Sequence, residues 1–510
     1  MNGAEAILRT ARAAGVEACF ANPGTTEMAL VRALDGAPGI RAVLGLFEGV
    51  CTGAADGWAR MRGAPALALL HLGPGLANGL ANLHNARRAR SPVVCLVGDH
   101  ATWHRSADAP LASDIEALAR TVSTWVRTTA SPEHLARDAA EAVAAARSAP
   151  GGVATLVVPS DLAAGPAPGP AEPVAPAPPV RVAVDRVERA ARTLREGPSA
   201  LLLGGPGLGE RGQRAAARTG CRLLAEGFPA RMERGAGLPW VERMPYFPDR
   251  AVALLAGLRG LVLAGAREPV AFFGFPGMPS RYTPAGCALE PLAAPGEDVE
   301  AALEDLADAL GAPAGETPPP RAAPAMPEGP LTPETIGAAL ALLQPEGAIV
   351  VDEAATSGVR YFHPAASSPR HTLLTLTGGS IGMGPPCATG AALACPDRVV
   401  FDFQGDGGAL YTPQALWTQA REQLHVVTLV CSNRRYRILQ LDWERPGSQA
   451  PGPKARSLTE LSPPPVDWVQ LARGLGVPGT RVESVAELRR AMGRALAAPG
   501  PHLLELEVAS

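Results

Sequence analysis

Two polar residues near the carboxyl end of the chain are suited by type and spacing to holding a divalent cation. Asp406 lies in Gly405-Asp406-Gly407-Gly408, directly after an apolar segment (residues 398–403), and Asn433 closely follows a second apolar segment (residues 425–431). Carboxylate and amide oxygens suit a hard cation, and the glycines let a diphosphate approach the main chain. The pattern therefore predicts a metal–diphosphate site. The alternative is an ordinary strand–helix–strand unit with a tight Gly-Asp-Gly turn.

Both apolar segments are predicted to be buried β-strands because they are rich in β-branched and aromatic residues. Between them, Thr412 and Pro413 are predicted to cap and begin a helix that runs to about Leu424. A helical crossover of this kind makes the two strands parallel, so Asp406 and Asn433 are expected at the same edge of one sheet. That edge is where open α/β sheets bind ligands.

Three polar residues in the first third of the chain, Thr25, Glu48 and His71, each come just after a predicted strand. By the same edge rule they are expected to meet in one crevice. Glu48 stands between an aromatic residue and a small, apolar helix start, so its carboxylate is expected to be partly desolvated, as proton transfer requires. An acid at a helix N-terminus, favoured by the helix dipole, is the alternative. The three strands are predicted at residues 17–21, 41–46 and 66–70.

The length of 510 residues is too great for one core and predicts about three domains. Two Pro/Ala-rich stretches, residues 164–182 and 312–329, are interpreted as extended linkers. They divide the chain into residues 1–163, 183–311 and 330–510. Strands and helices alternate in each part, which predicts an α/β fold with three doubly wound parallel sheets.

Composition excludes several classes of function. A net charge of −3 with mixed signs indicates neither nucleic-acid nor membrane-surface binding, and the apolar runs are too short to span a membrane. The first residues lack a signal-peptide pattern and the eight cysteines lack a Cys-x-x-Cys pair, so a cytoplasmic protein is expected. Lys454 is the only lysine and lies in a Pro/Gly-rich loop, which argues against Schiff-base chemistry.

Two glycine motifs admit other interpretations. Gly378-Gly379-Ser380-Ile381-Gly382 matches the nucleophile elbow of α/β-hydrolases, with Asp406 and His425 or His502 as possible partners, but Asp406 is better explained by Asn433. In the middle part, a G-x-G-x-x-G pattern follows a strand; we interpret it as a glycine-rich turn of a Rossmann-like domain without a nucleotide. Its glycines are Gly207, Gly209 and Gly212.

Gly405-Asp406-Gly407, with Asn433 placed 27 residues (433 − 406) after Asp406, resembles the thiamine-diphosphate motif. Glu48, Asn22-Pro23-Gly24 and the segment 378–382 fall where that superfamily carries matching elements. Over its whole length the chain resembles the acetolactate synthase large-subunit family, in the group that also holds benzoylformate decarboxylase and pyruvate oxidase. The resemblance implies a pyrimidine-binding domain, a central domain and a diphosphate-binding domain.

The resemblance also implies roles for single residues at the diphosphate end. Asp406, Asn433 and the main-chain carbonyl of Arg435 would hold Mg²⁺. Three glycines and one tyrosine would lie near the diphosphate of the cofactor: Gly405, Gly407, Gly408 and Tyr436.

At the other end of the cofactor, Ile381 would be the apolar wedge that bends it, and the main chain of Gly379 would contact its aminopyrimidine. Glu48 would hydrogen-bond the pyrimidine ring and support the proton transfer that activates the thiazolium. In this family the pyrimidine and diphosphate ends come from different subunits, which implies a homodimer or homotetramer with sites between chains.

The resemblance leaves the reaction open. His71 and Thr25 match the active-site histidine and serine of benzoylformate decarboxylase, whereas Met244 stands where a second histidine is expected from the central domain. A flavin-contact segment is not evident, so FAD is not expected. The leading hypothesis is decarboxylation of a 2-oxo acid with ligation of the fragment to a second carbonyl, as in acetolactate formation from pyruvate. The alternatives are a benzoylformate-type decarboxylase without ligation and a non-catalytic, cofactor-binding partner subunit.

Overall fold

The computed structural model describes residues 1–311, 322–444 and 449–509, so part of the second predicted linker lies outside the described residues. Its strands form three sheets, of six, five and seven strands. Every strand pair is parallel except one in the third sheet, which confirms the predicted α/β class with parallel sheets.

The first sheet, with the helices that cover it, forms the N-terminal unit. Its strand order is β2-β1-β3-β4-β6-β5. The helices are rich in alanine and glycine, so they pack closely on both faces of the sheet. The strands are β1 (Ala18–Ala21), β2 (Arg41–Leu44), β3 (Ala66–His71), β4 (Val93–Asp99), β5 (Trp125–Thr128) and β6 (Val153–Pro159); the helices are α1 (Gly3–Ala13), α2 (Met28–Leu34), α3 (Glu48–Arg62), α4 (Leu72–Ala89), α5 (Ile115–Arg120), α6 (Leu135–Arg147) and α7 (Ser160–Ala164).

The second sheet belongs to the central unit and has the order β10-β8-β7-β11-β12. One strand from this part of the chain, β9, pairs in the third sheet and not in the central one. The elements are α8 (Val184–Arg195), β7 (Ser199–Leu203), α9 (Glu210–Arg218), β8 (Arg222–Ala225), β9 (Met232–Arg234), β10 (Glu242–Arg243), α10 (Pro248–Leu255), β11 (Gly260–Ala264), β12 (Ala288–Ala293) and α11 (Val299–Ala309).

The third sheet forms the C-terminal unit, in the order β17-β18-β16-β15-β13-β14-β9. The edge strand β9 pairs antiparallel with β14, so the central part of the chain completes this sheet. The other elements are α12 (Pro333–Leu343), β13 (Ala348–Glu353), β14 (His371–Thr375), α13 (Gly384–Ala394), β15 (Val400–Gly405), α14 (Asp406–Ala409), α15 (Ala415–Arg421), β16 (Val426–Ser432), α16 (Arg437–Trp443), α17 (Pro453–Ser457), α18 (Trp468–Gly474), β17 (Gly479–Val482), α19 (Val485–Ala497) and β18 (His502–Glu507).

The strand orders place a ligand crevice at one point of each outer sheet. In the first sheet the chain reverses direction between β1 and β3, and in the third between β13 and β15. Such switch points open a crevice at the carboxyl ends of the strands. The crevices therefore lie beside His71 in the first sheet and beside Glu353 and Asp406 in the third.

The helix predicted from Thr412 begins later and is preceded by another. A one-turn helix, α14, starts at Asp406 itself, and α15 starts only at Ala415. The prediction that Thr412 caps the helix was wrong. Its buried hydroxyl instead donates a hydrogen bond to the carbonyl of Gly382, at 2.9 Å, because the intervening loop folds back onto that residue.

Helices α3 and α13 join the N-terminal and C-terminal units at the level of their backbones. A Cβ added to Gly390 would collide with the carbonyl oxygen of Ala54, and one added to Gly57 would collide with that of Cys387. This close approach lets one apolar core run from the first sheet into the third. In the described parts of the chain, no helix combines the length and the apolar character needed to cross a membrane.

We predict that Gly390→Ala destabilises the protein, although alanine is the better helix former. Its methyl group must push α3 and α13 apart, which typically costs about 1–3 kcal/mol. The matched control is Gly493→Ala in α19, where an added Cβ meets no atom within 4 Å. Thermal unfolding should show a lower melting temperature for Gly390→Ala and an equal or higher one for Gly493→Ala. Equal melting temperatures for all three proteins would contradict the packing described.

Candidate active site

The aspartate predicted to bind a cation is buried at the start of α14. Asp406 accepts hydrogen bonds from the main-chain N–H of Gly407 (2.9 Å) and of Arg434 (2.6 Å). Arg434 has a left-handed backbone, with φ of 59°, which turns the chain back over Asp406 after β16. Burial raises the pKa of Asp406, and the N–H donors oppose that shift. These partners are neutral, so the buried charge fits an incoming cation.

Asn433, Arg435 and Tyr436 follow on the same turn. The Asn433 side-chain oxygen accepts from the Arg435 N–H at 3.0 Å, and the Arg435 carbonyl accepts from the Arg437 N–H at 3.0 Å. The Tyr436 ring lies so close to Gly407 that a Cβ there would collide with it. Within the described ranges, His, Cys, Asp and Glu form no three-membered group suited to a metal. One carboxylate and one amide instead suit a metal whose remaining ligands come from a bound diphosphate.

The loop that carries Gly379 and Ile381 is anchored by Glu353 of the C-terminal unit. This buried carboxylate accepts hydrogen bonds from three successive N–H groups, those of Gly382 (2.7 Å), Met383 (3.3 Å) and Gly384 (2.7 Å). Burial raises the pKa of Glu353. Ile381 remains 39% exposed above this anchor. Sequence reasoning did not select Glu353, although its place at the end of β13 followed the same strand-end rule as Asp406.

Helix α4 of the N-terminal unit also holds this loop, through asparagine side chains. Asn82 donates to the carbonyls of Gly49 (2.9 Å) and Gly382 (3.2 Å), and Asn85 donates to the carbonyl of Ser380 (2.7 Å). Gly49 is the neighbour of Glu48, so one amide group joins the start of α3 to the loop of Ile381. The spacing Asn78, Asn82, Asn85 places three amides on one helix face, a signal that sequence reasoning overlooked.

Glu48 is the first residue of α3 and is buried. Its carboxylate accepts a hydrogen bond from the Asn78 amide at 3.0 Å. Gly75, one turn before Asn78, lies beside the same carboxylate. Glu48 therefore begins a helix and is also buried at the crevice, and its part in proton transfer stays a prediction.

His71 forms a partly buried cluster with residues after β1. Its Nδ1 lies 2.8 Å from the fully buried carboxylate of Glu27 and 3.1 Å from the hydroxyl of Thr26. Gly24 is required there because a Cβ would collide with the His71 ring. The contact comes from Thr26, whereas the predicted Thr25 is exposed and its role stays a prediction. The adjacent threonines could not be told apart by strand-end position alone.

The hydrolase interpretation does not fit this geometry. An elbow serine stands on a sharp strand-to-helix turn, but Ser380 lies in the middle of the loop between Thr375, which ends β14, and Gly384, which begins α13. His425 is engaged elsewhere, with its Nε2 3.1 Å from the carbonyl of Ala495.

The glycines of the central unit serve packing. A Cβ on Gly212 would lie 2.7 Å from the Cα of Gly207, so the motif lets α9 approach the turn after β7. Glu210 occupies the first turn of α9 and pairs with Arg370 at 2.6 Å and with Arg214 at 2.9 Å. This arrangement agrees with the interpretation as a glycine-rich turn.

The central unit meets the site through Phe272 and not through Met244. Met244 is 4% exposed and packs in the core of the central unit with Leu202 and Leu263. The Phe272 ring lies against Gly379, where an added Cβ would collide with it. The central unit therefore places an aromatic residue beside the loop that carries Gly379 and Ile381.

A second buried acid lies beneath the site. Asp402 in β15 accepts hydrogen bonds from Gln404 (2.6 Å) and Thr428 (3.3 Å), and burial raises its pKa to about 8. The carboxylate of Glu353 adds to that shift. Asp402 is thus protonated at neutral pH in the folded protein and ionised in the unfolded chain.

We predict that Asp402→Asn stabilises the protein increasingly as pH rises from about 4 to 8. The wild-type unfolded chain releases its proton first, so wild-type stability falls over this window, whereas asparagine does not titrate. Melting temperatures of both proteins at pH 5 and pH 8 measure the difference, with Asp35→Asn at an exposed aspartate as control. A difference that stays constant with pH would contradict the buried, protonated state.

Comparisons with known proteins place this geometry in a family. Residues 1–119 match the N-terminal binding domain of thiamine pyrophosphate enzymes, and residues 355–506 match the C-terminal binding domain. The chain is 50% identical to the Mycobacterium tuberculosis H37Rv protein named "Putative acetolactate synthase large subunit IlvX", over 100% of this chain and 99% of that protein. It is 29% identical to benzoylformate decarboxylase of Pseudomonas aeruginosa, over 96% of both chains.

Solved structures agree with this result. The thiamine diphosphate-dependent 4-hydroxybenzoylformate decarboxylase of Rhodococcus jostii RHA1 superposes with a TM-score of 0.82 at 26% identity, covering 100% of this chain and 99% of the other. The structure described as "a putative thiamin diphosphate-dependent enzyme isolated from Mycobacterium smegmatis" gives a TM-score of 0.83 at 26% identity, covering 100% of both chains. The chain belongs to the thiamine pyrophosphate enzymes and is related to acetolactate synthase and benzoylformate decarboxylase.

Proposed function

We propose that the protein catalyses the Mg²⁺- and thiamine-diphosphate-dependent decarboxylation of a 2-oxo acid and ligates the fragment to a second carbonyl compound, in the manner of acetolactate synthase. The observation that supports it most is the link made by Asn82. This amide joins the start of α3, where Glu48 lies, to the loop of Ile381. The two half-sites of one subunit are thereby held in a fixed relative position, so that a second copy of the chain can complete both.

Each end has a defined task in this proposal. Asp406, Asn433 and the Arg435 carbonyl would hold Mg²⁺ and, through it, the diphosphate. Thiamine diphosphate, when bound, supplies the electron sink for loss of carbon dioxide from a 2-oxo acid. Glu48 would hold and return the proton at its carboxylate oxygens, and Ile381 would keep the cofactor bent. The glycines and Tyr436 would keep the diphosphate close to the main chain.

A benzoylformate-type decarboxylase that releases an aldehyde is the second candidate. The pair of His71 and Glu27 favours it, because a histidine held by a buried carboxylate can relay the proton that aldehyde release requires. Incubating the purified holoenzyme with pyruvate or benzoylformate, and measuring the ligation product (acetolactate in the case of pyruvate) and the released aldehyde separately, distinguishes the two. Cofactor binding without turnover on a broad panel of 2-oxo acids would instead indicate a non-catalytic partner subunit.

A homodimer or homotetramer with shared sites is part of the proposal. Large apolar side chains around the crevices are exposed in the single chain, which suits burial by a second copy. They are Leu46, Ile381, Tyr411 and Leu439. Light scattering coupled to size-exclusion chromatography measures the oligomeric state.

We predict that Glu48→Gln lowers kcat by roughly 10²–10⁴-fold, the usual contribution of one proton-transfer group. Glutamine keeps the size of the side chain but cannot take up the proton, so thiamine diphosphate should still bind. Steady-state turnover and calorimetric cofactor titration measure the two effects, with Glu188→Gln at an exposed site as control. Undiminished turnover in Glu48→Gln would refute the assigned role.

We predict that Asp406→Ala abolishes Mg²⁺-dependent binding of thiamine diphosphate, because it removes the single carboxylate assigned to the metal. Titration of the cofactor with and without Mg²⁺ measures this directly. Asp397→Ala, at an exposed aspartate of the same unit, should bind like the wild type. An equal affinity for Asp406→Ala and wild type would show that the metal lies elsewhere.

A further inference from the structure

Four aromatic side chains of the central unit are packed against one another, and we call them the aromatic wall: Phe228, Tyr246, Phe272 and Phe273. The ring centroid of Phe272 lies 5.5 Å from that of Phe228, 5.4 Å from that of Tyr246 and 5.0 Å from that of Phe273. Aromatic residues make up only 4% of the chain, so this is a local concentration. A cluster of this kind calls for a specific explanation.

The aromatic wall stands at the carboxyl edge of the central sheet. Phe228 follows β8, Tyr246 follows β10, and Phe272 and Phe273 follow β11. These strands run parallel, so the segments after them emerge at the same edge. The wall is therefore built from three separate segments that converge on one place.

That place is the loop between β14 and α13 that carries Gly379 and Ile381, which we call the cofactor loop. The segment after Phe228 is held where this loop begins. The hydroxyl of Thr375, the last residue of β14, donates a hydrogen bond to the carbonyl of Pro229 at 2.8 Å. Arg60 of the N-terminal unit donates to the next carbonyl, at 3.4 Å. Phe272 in turn lies against Gly379, two residues before Ile381.

The wall is not closed over by the described chain. Phe272 is 40% exposed and Phe273 is 56% exposed, whereas a core aromatic residue is buried. Ile381 is also partly exposed nearby, so apolar surface from the central and C-terminal units borders the region around the cofactor loop. Such surface is suited to an apolar ligand group.

We propose that the aromatic wall receives the side chain of the 2-oxo acid and selects an aryl or long apolar substituent over the methyl group of pyruvate. This inference rests on the proposed function and names the substrate class of the same site. An aryl ring can pack edge-to-face against Phe272 and Phe273, as these rings do against each other. A methyl group has too little apolar surface to gain from such contacts.

The test compares two substrates and one variant. Wild-type holoenzyme should have a higher kcat/KM for benzoylformate than for pyruvate. Phe272→Ala should lower the ratio of kcat/KM for benzoylformate to kcat/KM for pyruvate about tenfold, because the substrate ring loses an aromatic contact. Phe272→Leu, which keeps apolar bulk, should restore part of the ratio.

A matched control removes apolar surface from the same unit away from the wall. Val184 is exposed at the start of α8, and Val184→Ala should leave the ratio unchanged. Binding of two unreactive 2-hydroxy acids provides a second readout, because mandelate carries the aryl group and lactate the methyl group. Wild type should bind mandelate more tightly than lactate, and Phe272→Ala should lose that preference.

The outcomes separate this inference from the proposed function. Turnover with an equal or higher kcat/KM for pyruvate overturns the aromatic wall as a substrate pocket and leaves the proposed function in place. An unchanged ratio in Phe272→Ala also overturns it. If neither 2-oxo acid is turned over, the proposed function fails, and the mandelate preference alone then supports or overturns the pocket.

Discussion

The loop between β14 and α13 depends on the close approach of three units, and the candidate site depends on that loop. Its residues leave no room for side chains at the points of contact: Asn85 approaches Gly378, Phe272 approaches Gly379 and Tyr411 approaches Gly382. Glu353 then fixes the loop from below through three N–H groups. Because glycine fits these contacts, all three units can pack against the loop while the side chain of Ile381 stays partly exposed.

The same arrangement gathers three acidic side chains around the proposed diphosphate site. Asp402, Glu353 and Asp406 are all buried, and burial raises the pKa of each. Asp406 lies at the crevice close to Asn433 and is the carboxylate that we propose binds the cation. The remaining two are held by protein donors, Glu353 by the loop and Asp402 by Gln404 and Thr428.

Particular residues show how far sequence reasoning reached into the site. Strand-end position correctly placed His71, Glu48 and Asp406 at the crevices, because parallel strands share one carboxyl edge. It selected Thr25, whereas the threonine in contact with His71 is Thr26, since neighbouring residues of a turn point in different directions. The family resemblance placed Met244 where a second histidine is expected, but Met244 packs in the core of the central unit and Phe272 lies beside Gly379. The loops of the central unit carry no periodicity from which their path can be read.

The sequence by itself determined the fold class, the parallel sheets and the residue types at each strand end. These follow from the local alternation of apolar and polar segments and from glycines that mark tight turns at the ends of strands. Only the tertiary structure decided that Asn82 joins two units, that Glu353 anchors the cofactor loop, and that β9 completes the third sheet. Such contacts link residues far apart in the chain, and their geometry depends on how whole units pack, which no local pattern encodes.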